Sequence, residues 1–195
     1  GHLLDNIART ARHIRSAEVE EVLAAASLLA STPQQTYSAL ADADVEWPTI
    51  SDENGQPVTA TASLFYRFMA SPDRRVRRDA AAAIFGTYER YGNTMAATLG
   101  GSIQRDIWQA RTRGYASTLE AALDADAVPR EVVDTLVATV HDNLDAVHGY
   151  VALRTEVLGL NDFHLYDLYV NLVPAGSRSY TFDEGWAMAM EYWRA

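Results

Sequence analysis

Apolar positions along most of this chain recur every three or four residues, the spacing of helices that each bury one face. A short helix is expected over 3–14. Ser16 is placed to cap the next one, with Glu18, Glu20 and Glu21 in its first turns, where the helix dipole favours acids; Val19, Val22, Leu23 and Ala26 form its apolar face. Thr32-Pro33 starts a third helix, reaching about Ala41, with Tyr37 and Leu40 on one side. Ser71-Pro72-Asp73 opens a long helix through Val76, Ala80, Ala83, Ile84, Tyr88, Tyr91, Met95 and Leu99, then Ile103, Ile107 and Ala110, capped at Gly114. Gly92, Gly100 and Gly101 weaken it without breaking it and leave room for another helix to approach. Ser117 opens a short helix to Ala125. Pro129-Arg130-Glu131 opens a second long one, through Val132, Val133, Leu136, Val140, Leu144, Val147, Val151 and Leu158 to Gly159. The stretch 160–179 is mixed and aromatic-rich, with a loop from Pro174 to Ser177, and Thr181 or Asp183 caps a last helix.

The pattern drops to a period of two in one place. Val45 to Ile50 alternates, the Asn54-Gly55 pair signals a turn, and Pro57 to Thr61 returns. Pro48 and Pro57 mark these strands as edges with few ladder bonds. The expected fold is mainly α: an elongated multi-helix bundle with one β-hairpin at about 45–61. The 195 residues are enough to bury roughly 70% of the unfolded surface without disulfides or a metal.

Composition removes whole chemistries. There is no Cys, so no thiolate zinc site, thiol protease or iron–sulfur cluster. There is no Lys, since all 16 basic residues are Arg, so no Schiff-base enzyme and no Walker A loop. A net charge of −10 argues against nucleic acid or an anionic membrane as partner. The longest nearly apolar run, Val22 to Ala30, is half a membrane span and is interrupted by Ser27. With no signal-peptide pattern either, a cytoplasmic protein is expected. The Gly1-His2 opening and the uncapped helical end at 184–195 read as the limits of a piece of something longer.

Several constellations are candidates for chemistry. His141, Asp145 and His148 share one helix face at i, i+4 and i+7, a spacing zinc can use; the alternative is a solvated polar face, which the want of an obvious fourth ligand favours. His2 and His13 read as exposed or tag-like. His164, Tyr166, Asp167 and Tyr169 form the densest polar–aromatic stretch. As a strand, alternation sends His164 and Tyr166 one way and Asp167 and Tyr169 the other. They either line a cleft or satisfy buried backbone groups. Arg74, Arg75, Arg77 and Arg78, flanked by Asp73 and Asp79, read as a solvated face with local ion pairs. No His precedes a Glu, so HExxH is missing; G-x-S-x-G and G-x-G-x-x-G are missing too.

Four segments, in order, resemble the oligoendopeptidase F family of zinc metallopeptidases. They are 37–49 with its Glu46-Trp47-Pro48 followed by the Asp52-Glu53-Asn54-Gly55 turn, 71–99 with its arginine run, 110–123 around Gly114-Tyr115, and 164–170. Asn171, where the family usually has Pro, and the loosening glycines 92, 100 and 101 are the departures.

The resemblance implies a helical peptidase with a deep channel, in which zinc is held by HExxH and a later Glu. Those elements would lie downstream of residue 195, so no catalytic and no metal residue falls on this chain. It also implies a helical lead-in at 1–30, an N-terminal-domain-like module at 31–114 and the start of the catalytic domain at 115–195. The expected function is therefore that of the upstream part of a zinc-dependent oligoendopeptidase acting on short peptides, forming a wall of the channel, itself inactive and binding no zinc. His164, Tyr166, Asp167 and Tyr169 would then lie near the channel, mostly holding a loop. The alternative is a non-catalytic helical binding module derived from that family. The fragment is expected to self-associate, with Trp186, Met188, Met190 and Trp193 a candidate exposed cluster.

Overall fold

The computed structural model describes residues 2–173 and 180–194. Helices α1 (His2–Ala11), α2 (Ala17–Ala30) and α3 (Thr32–Ala39) open the chain, and α3 runs on into one π-helical turn at Leu40–Asp44. Strands β1 (Thr49–Ser51) and β2 (Pro57–Thr59) pair antiparallel, Ile50 opposite Val58. Then come α4 (Phe65–Met69), α5 (Arg74–Arg90), α6 (Gly92–Arg113), α7 (Thr118–Ala125), α8 (Arg130–Asp142), α9 (Leu144–Val157), a 3₁₀ turn at Leu165–Asp167, and α10 (Phe182–Arg194). The chain is mainly α with one small hairpin, as its periodicity predicts. The expected loop at Pro174 to Ser177 and the side chain of His2 lie outside the described residues.

The caps follow local chemistry. The Asp73 carboxylate accepts from the Arg75 N–H at 2.8 Å, and the Ser117 hydroxyl accepts from the Glu120 N–H at 3.0 Å. Thr181 and Glu184 form a reciprocal box, which assigns the last cap to Thr181. Ser16 has the extended backbone of a cap, but its side chain makes no capping bond to the helix.

Three expectations about elements need correction. The hairpin is shorter than 45–61, because Val45 to Pro48 stay outside the ladder. Pro48 has no N–H to donate and takes part only through its carbonyl, which accepts from the Ala60 N–H at 2.8 Å. The turn falls where the Asn54-Gly55 pair signals it, and Asp52 organises it. Asp52 Oδ1 accepts from the Asn54 and Gln56 N–H groups, both at 2.8 Å, and only Gly55 enters the left-handed region, at φ 76°.

Neither long helix is continuous. The first breaks at Tyr91 (φ −97°, ψ 10°), just before Gly92, whose backbone freedom makes a helical conformation costly. The second breaks at Asn143 (φ −113°, ψ 11°). There the side-chain amide donates to the Thr139 carbonyl at 2.7 Å and competes with the backbone ladder.

The closed core lies between the hairpin, α4 and α5. Ala60, Phe68, Met69, Val76, Ala80, Ala81 and Ile84 are buried, with Trp47, Ile50, Val58 and Tyr88 packed around them. Val76, Ala80 and Ile84 are the stripe that the spacing marks out. Along α6, Gly101 lets α3 come close: a Cβ there would sit 2.8 Å from Pro33 Cγ.

The start of the chain is tied to the end of α6. His13, expected to be exposed, is buried. Its ring stacks on Tyr115 with centroids 3.6 Å apart, Nδ1 lies 3.0 Å from the Arg113 carbonyl, and Nε2 takes the Arg12 Nε–H at 2.9 Å. Both Tyr115 and Arg113 are about a hundred residues away in sequence, so local reading could not see them. Gly114 is left-handed at φ 75°, and the Arg15 guanidinium lies where a Cβ would project. Arg113 pairs with Glu20, while Arg9 and the Tyr115 hydroxyl both reach Asp124.

The apolar stripe of α8 and α9 is not covered. Val132 is 54% exposed, Leu136 62% and Val147 55%. The accessible surface is 14,112 Å², against roughly 9,000 Å² for a compact chain of this mass. The helices thus form a packed centre with open apolar flanks.

The two adjacent glycines of α6 should respond oppositely to alanine. Gly100 has nothing within 4 Å of its absent Cβ, so Gly100→Ala should stabilise by up to about 1 kcal/mol through helix propensity. Gly101→Ala drives a methyl into the rigid Pro33 ring and should destabilise by about 1–3 kcal/mol less that gain. Denaturant unfolding of both variants checks the sign reversal.

Candidate functional site

The polar–aromatic stretch 164–169 is organised around one buried carboxylate. It is a 3₁₀ turn, not a strand, so the expected two-sided alternation does not occur. Asp167 has no exposed surface. Its carboxylate accepts from Arg77 Nη2 at 2.8 Å, from Arg74 Nη2 at 2.9 Å and Nε at 3.1 Å, and from the His164 N–H at 3.1 Å. Burial is the largest influence on this carboxyl and pushes its pKa up. The bonds from Arg74, Arg77 and the His164 backbone together outweigh it, so the group titrates below the ordinary carboxylate range. It is an ionised acceptor with its lone pairs engaged, which suits holding a loop and not proton transfer.

This overturns the solvated reading of the arginine run for two of its members. Arg77 is 3% exposed and also donates to the Ser71 carbonyl at 2.8 Å. Arg74 is half-buried and spans Asp167 and Asp162. Arg75 and Arg78 do make the local pairs expected, with Asp73 and Asp79. The signal for Arg77 was present in the sequence: it shares the apolar stripe of α5 with Ala81 and Ile84, at i+4 and i+7. A cation in such a stripe needs a carboxylate from elsewhere in the fold.

Arg154 carries the same signal, in line with Val147, Val151 and Leu158. It is 4% exposed and closes the turn from the opposite side. Its Nη2 donates to the backbone carbonyls of Asp167 (3.0 Å) and Val170, and its Nη1 to the Tyr150 hydroxyl at 2.9 Å. The segment is thus clamped between α5 and α9.

The outward side of the turn is aromatic and charged. The His164 and Tyr166 rings stack with centroids 4.9 Å apart, and the Arg74 guanidinium lies 5.4 Å from the Tyr166 ring centre. Asp162 bridges Arg74 Nη1 (3.0 Å) and His164 Nε2 (3.1 Å), and both contacts hold its carboxyl below its ordinary range, the Arg74 bond first. Tyr169 is 42% exposed and meets Tyr66 edge to face at 5.2 Å. The structure therefore brings His164, Tyr166 and Asp167 into one cluster with Arg74, and sends Tyr169 to the neighbouring aromatic patch on α4.

His141, Asp145 and His148 are not brought together. The break at Asn143 falls between the first and the other two, and all three are exposed. Among the described residues no group of three His, Cys, Asp or Glu side chains is placed to hold a metal ion. No described helix is long and apolar enough to cross a membrane.

Comparison with known proteins follows the same residues. The family model for peptidase family M3 matches 67–191, and the oligopeptidase F N-terminal model matches 1–47. Oligopeptidase PepF of Bacillus subtilis is 39% identical over 94% of this chain and 27% of that protein. The group B oligopeptidase PepB of Streptococcus agalactiae is 36% identical over 94% of this chain and 30% of its own length. Crystalline oligoendopeptidase-F from Enterococcus faecium superposes with a TM-score of 0.85 at 36% identity, covering 89% of this chain and 34% of that one. The chain spans about a third or less of each of these relatives.

Replacing Asp167 by Asn should destabilise the chain at neutral pH by about 3–5 kcal/mol, because Arg77 is left buried without its counter-charge. The folded-state pKa is depressed, so this stabilisation is complete above the unfolded value of about 3.9 and is lost as pH falls through the folded value. Thermal unfolding from pH 7 to pH 2 should show the variant converging on the parent at the acid end.

Proposed function

The chain belongs to peptidase family M3, in its oligopeptidase F branch, and we propose that it is the upstream part of a zinc-dependent oligoendopeptidase acting on short peptides. In this reading it forms a wall of the substrate channel and carries no catalytic residue. The observation that carries it is the pairing of a rigid, ion-clamped turn at 162–170 with uncovered apolar flanks on α8, α9 and α10. Such a turn suits a surface that must keep its shape against a substrate, and such flanks suit packing against further helices.

Zinc belongs, in this proposal, to residues outside this chain. His164, Tyr166, Asp167 and Tyr169 are the part nearest the channel. Asp167 fixes the turn and Tyr166 and Tyr169 shape its outward side, so they act through position and not by chemistry. Short peptides are the proposed partners, and the cytoplasm the proposed compartment.

Two experiments test this. The chain alone, with or without added zinc, should not hydrolyse a quenched bradykinin-like peptide; chelator-sensitive turnover would refute the reading. In the full-length enzyme, Asp167→Asn should lower thermal stability and turnover together, and Tyr169→Ala, which removes the ring that meets Tyr66, should do the same to a smaller degree. Loss of activity by orders of magnitude at unchanged stability would make the residue catalytic instead.

The open flanks also bear on association. Trp186 is 59% exposed, Met188 55% and Trp193 84%, while Met190 is half-buried. Light scattering of the chain at rising concentration should show growth beyond the monomer, reduced by Trp186→Ser with Trp193→Ser. A strict monomer at high concentration would contradict it.

A further inference from the structure

Asp162 sits in its own side chain's binding site. Its carboxylate is 63% exposed, yet two nitrogens, one from α5 and one from the turn, converge on it: Arg74 Nη1 at 3.0 Å on one oxygen and His164 Nε2 at 3.1 Å on the other. Both donors are held from behind. Arg74 is fixed by Nε and Nη2 on buried Asp167, and the His164 ring is stacked on Tyr166, which itself packs against the core. The cradle would therefore keep its shape if the Asp162 side chain swung away. The loop would stay as well, because Arg74 Nη2 holds the Asp162 backbone carbonyl at 2.6 Å, independent of the side chain.

We propose that Arg74 and His164 form a carboxylate-binding cradle for a peptide, occupied by Asp162 until an incoming carboxylate displaces it. The Asp162 carboxylate is exposed, so its hold on the two nitrogens is weak and open to competition from another carboxylate. The incoming group gains the same two bonds. The chemistry recognised is a peptide carboxylate, either the C-terminal one or an acidic side chain. The choice of a peptide as its carrier rests on the oligopeptidase reading; the cradle itself rests on geometry alone.

The test is titration of the chain, followed by NMR, with three pentapeptides of neutral sequence. One has a free C-terminus, one is its C-terminal amide, and one is the amide with a central Glu. Asp162→Ala removes the internal competitor and should tighten binding of the free acid by up to about fivefold, with shifts centred on His164 and Tyr166. Asp162→Asn, which keeps the size and loses the charge, should give a smaller gain. His164→Ala added to Asp162→Ala should abolish the gain. If only the free acid responds, the C-terminus is the ligand; if the Glu amide responds equally, any peptide carboxylate is; both support the cradle. Equal binding of acid and plain amide would overturn the cradle while leaving peptide binding intact. An absence of binding by all three to Asp162→Ala would overturn it as well, and would be distinguished from failure of the peptidase reading by turnover in the full-length enzyme.

Discussion

The Asp167 carboxylate is the point on which the second half of this structure turns. It is fully buried, and burial by itself would drive it to its neutral form. It stays ionised because two guanidinium groups from one face of α5 and a backbone N–H from its own turn converge on it. The dependence runs both ways. Arg77 is buried as well, and its permanent charge would be stranded there without Asp167. Neither residue is stable at its position without the other, and that mutual need fixes where 162–170 docks.

A second ionic knot does the same at the C-terminal end of α6. Arg15 covers the left-handed Gly114, Glu20 meets Arg113, and His13 lies flat on Tyr115. These contacts bind the first two helices to residues about a hundred positions later in the chain. Arginine supplies the cation in both knots, and its fixed fork is suited to reaching several acceptors at once. In a chain with no Lys, its arginines serve as interior fasteners as well as solubilising charge.

The helical periods, the caps at Ser117 and Thr181 and the left-handed Gly114 were readable, because each depends on neighbours within a few residues, whereas the cap expected at Ser71 falls two residues later, at Asp73. The hairpin was readable in place but not in length. What could not be read locally was the pairing of Arg77 with a residue ninety positions away, or of His13 with Tyr115. The arginine run looked solvated because four charges in five residues dominate the local pattern. Taken one at a time against the α5 stripe, Arg77 stands out as a cation among apolar positions. The breaks at Tyr91 and Asn143 were lost for another reason: apolar periodicity passes through a one-residue break almost unchanged.

The contrast between the ionic centre and the apolar flanks bears on function. A buried ion network is costly to rearrange, since any shift strands a charge in a poor dielectric. The 162–170 turn is therefore rigid for an electrostatic reason and independent of what covers α8 and α9. Apolar faces carry no such directional demand and accept whatever complementary helices are offered. A piece built this way keeps the shape of one surface while leaving its flanks free to join a larger body. That division of labour suits the channel-wall role proposed above, in which the geometry of one surface is set within the segment and its placement by what packs against it.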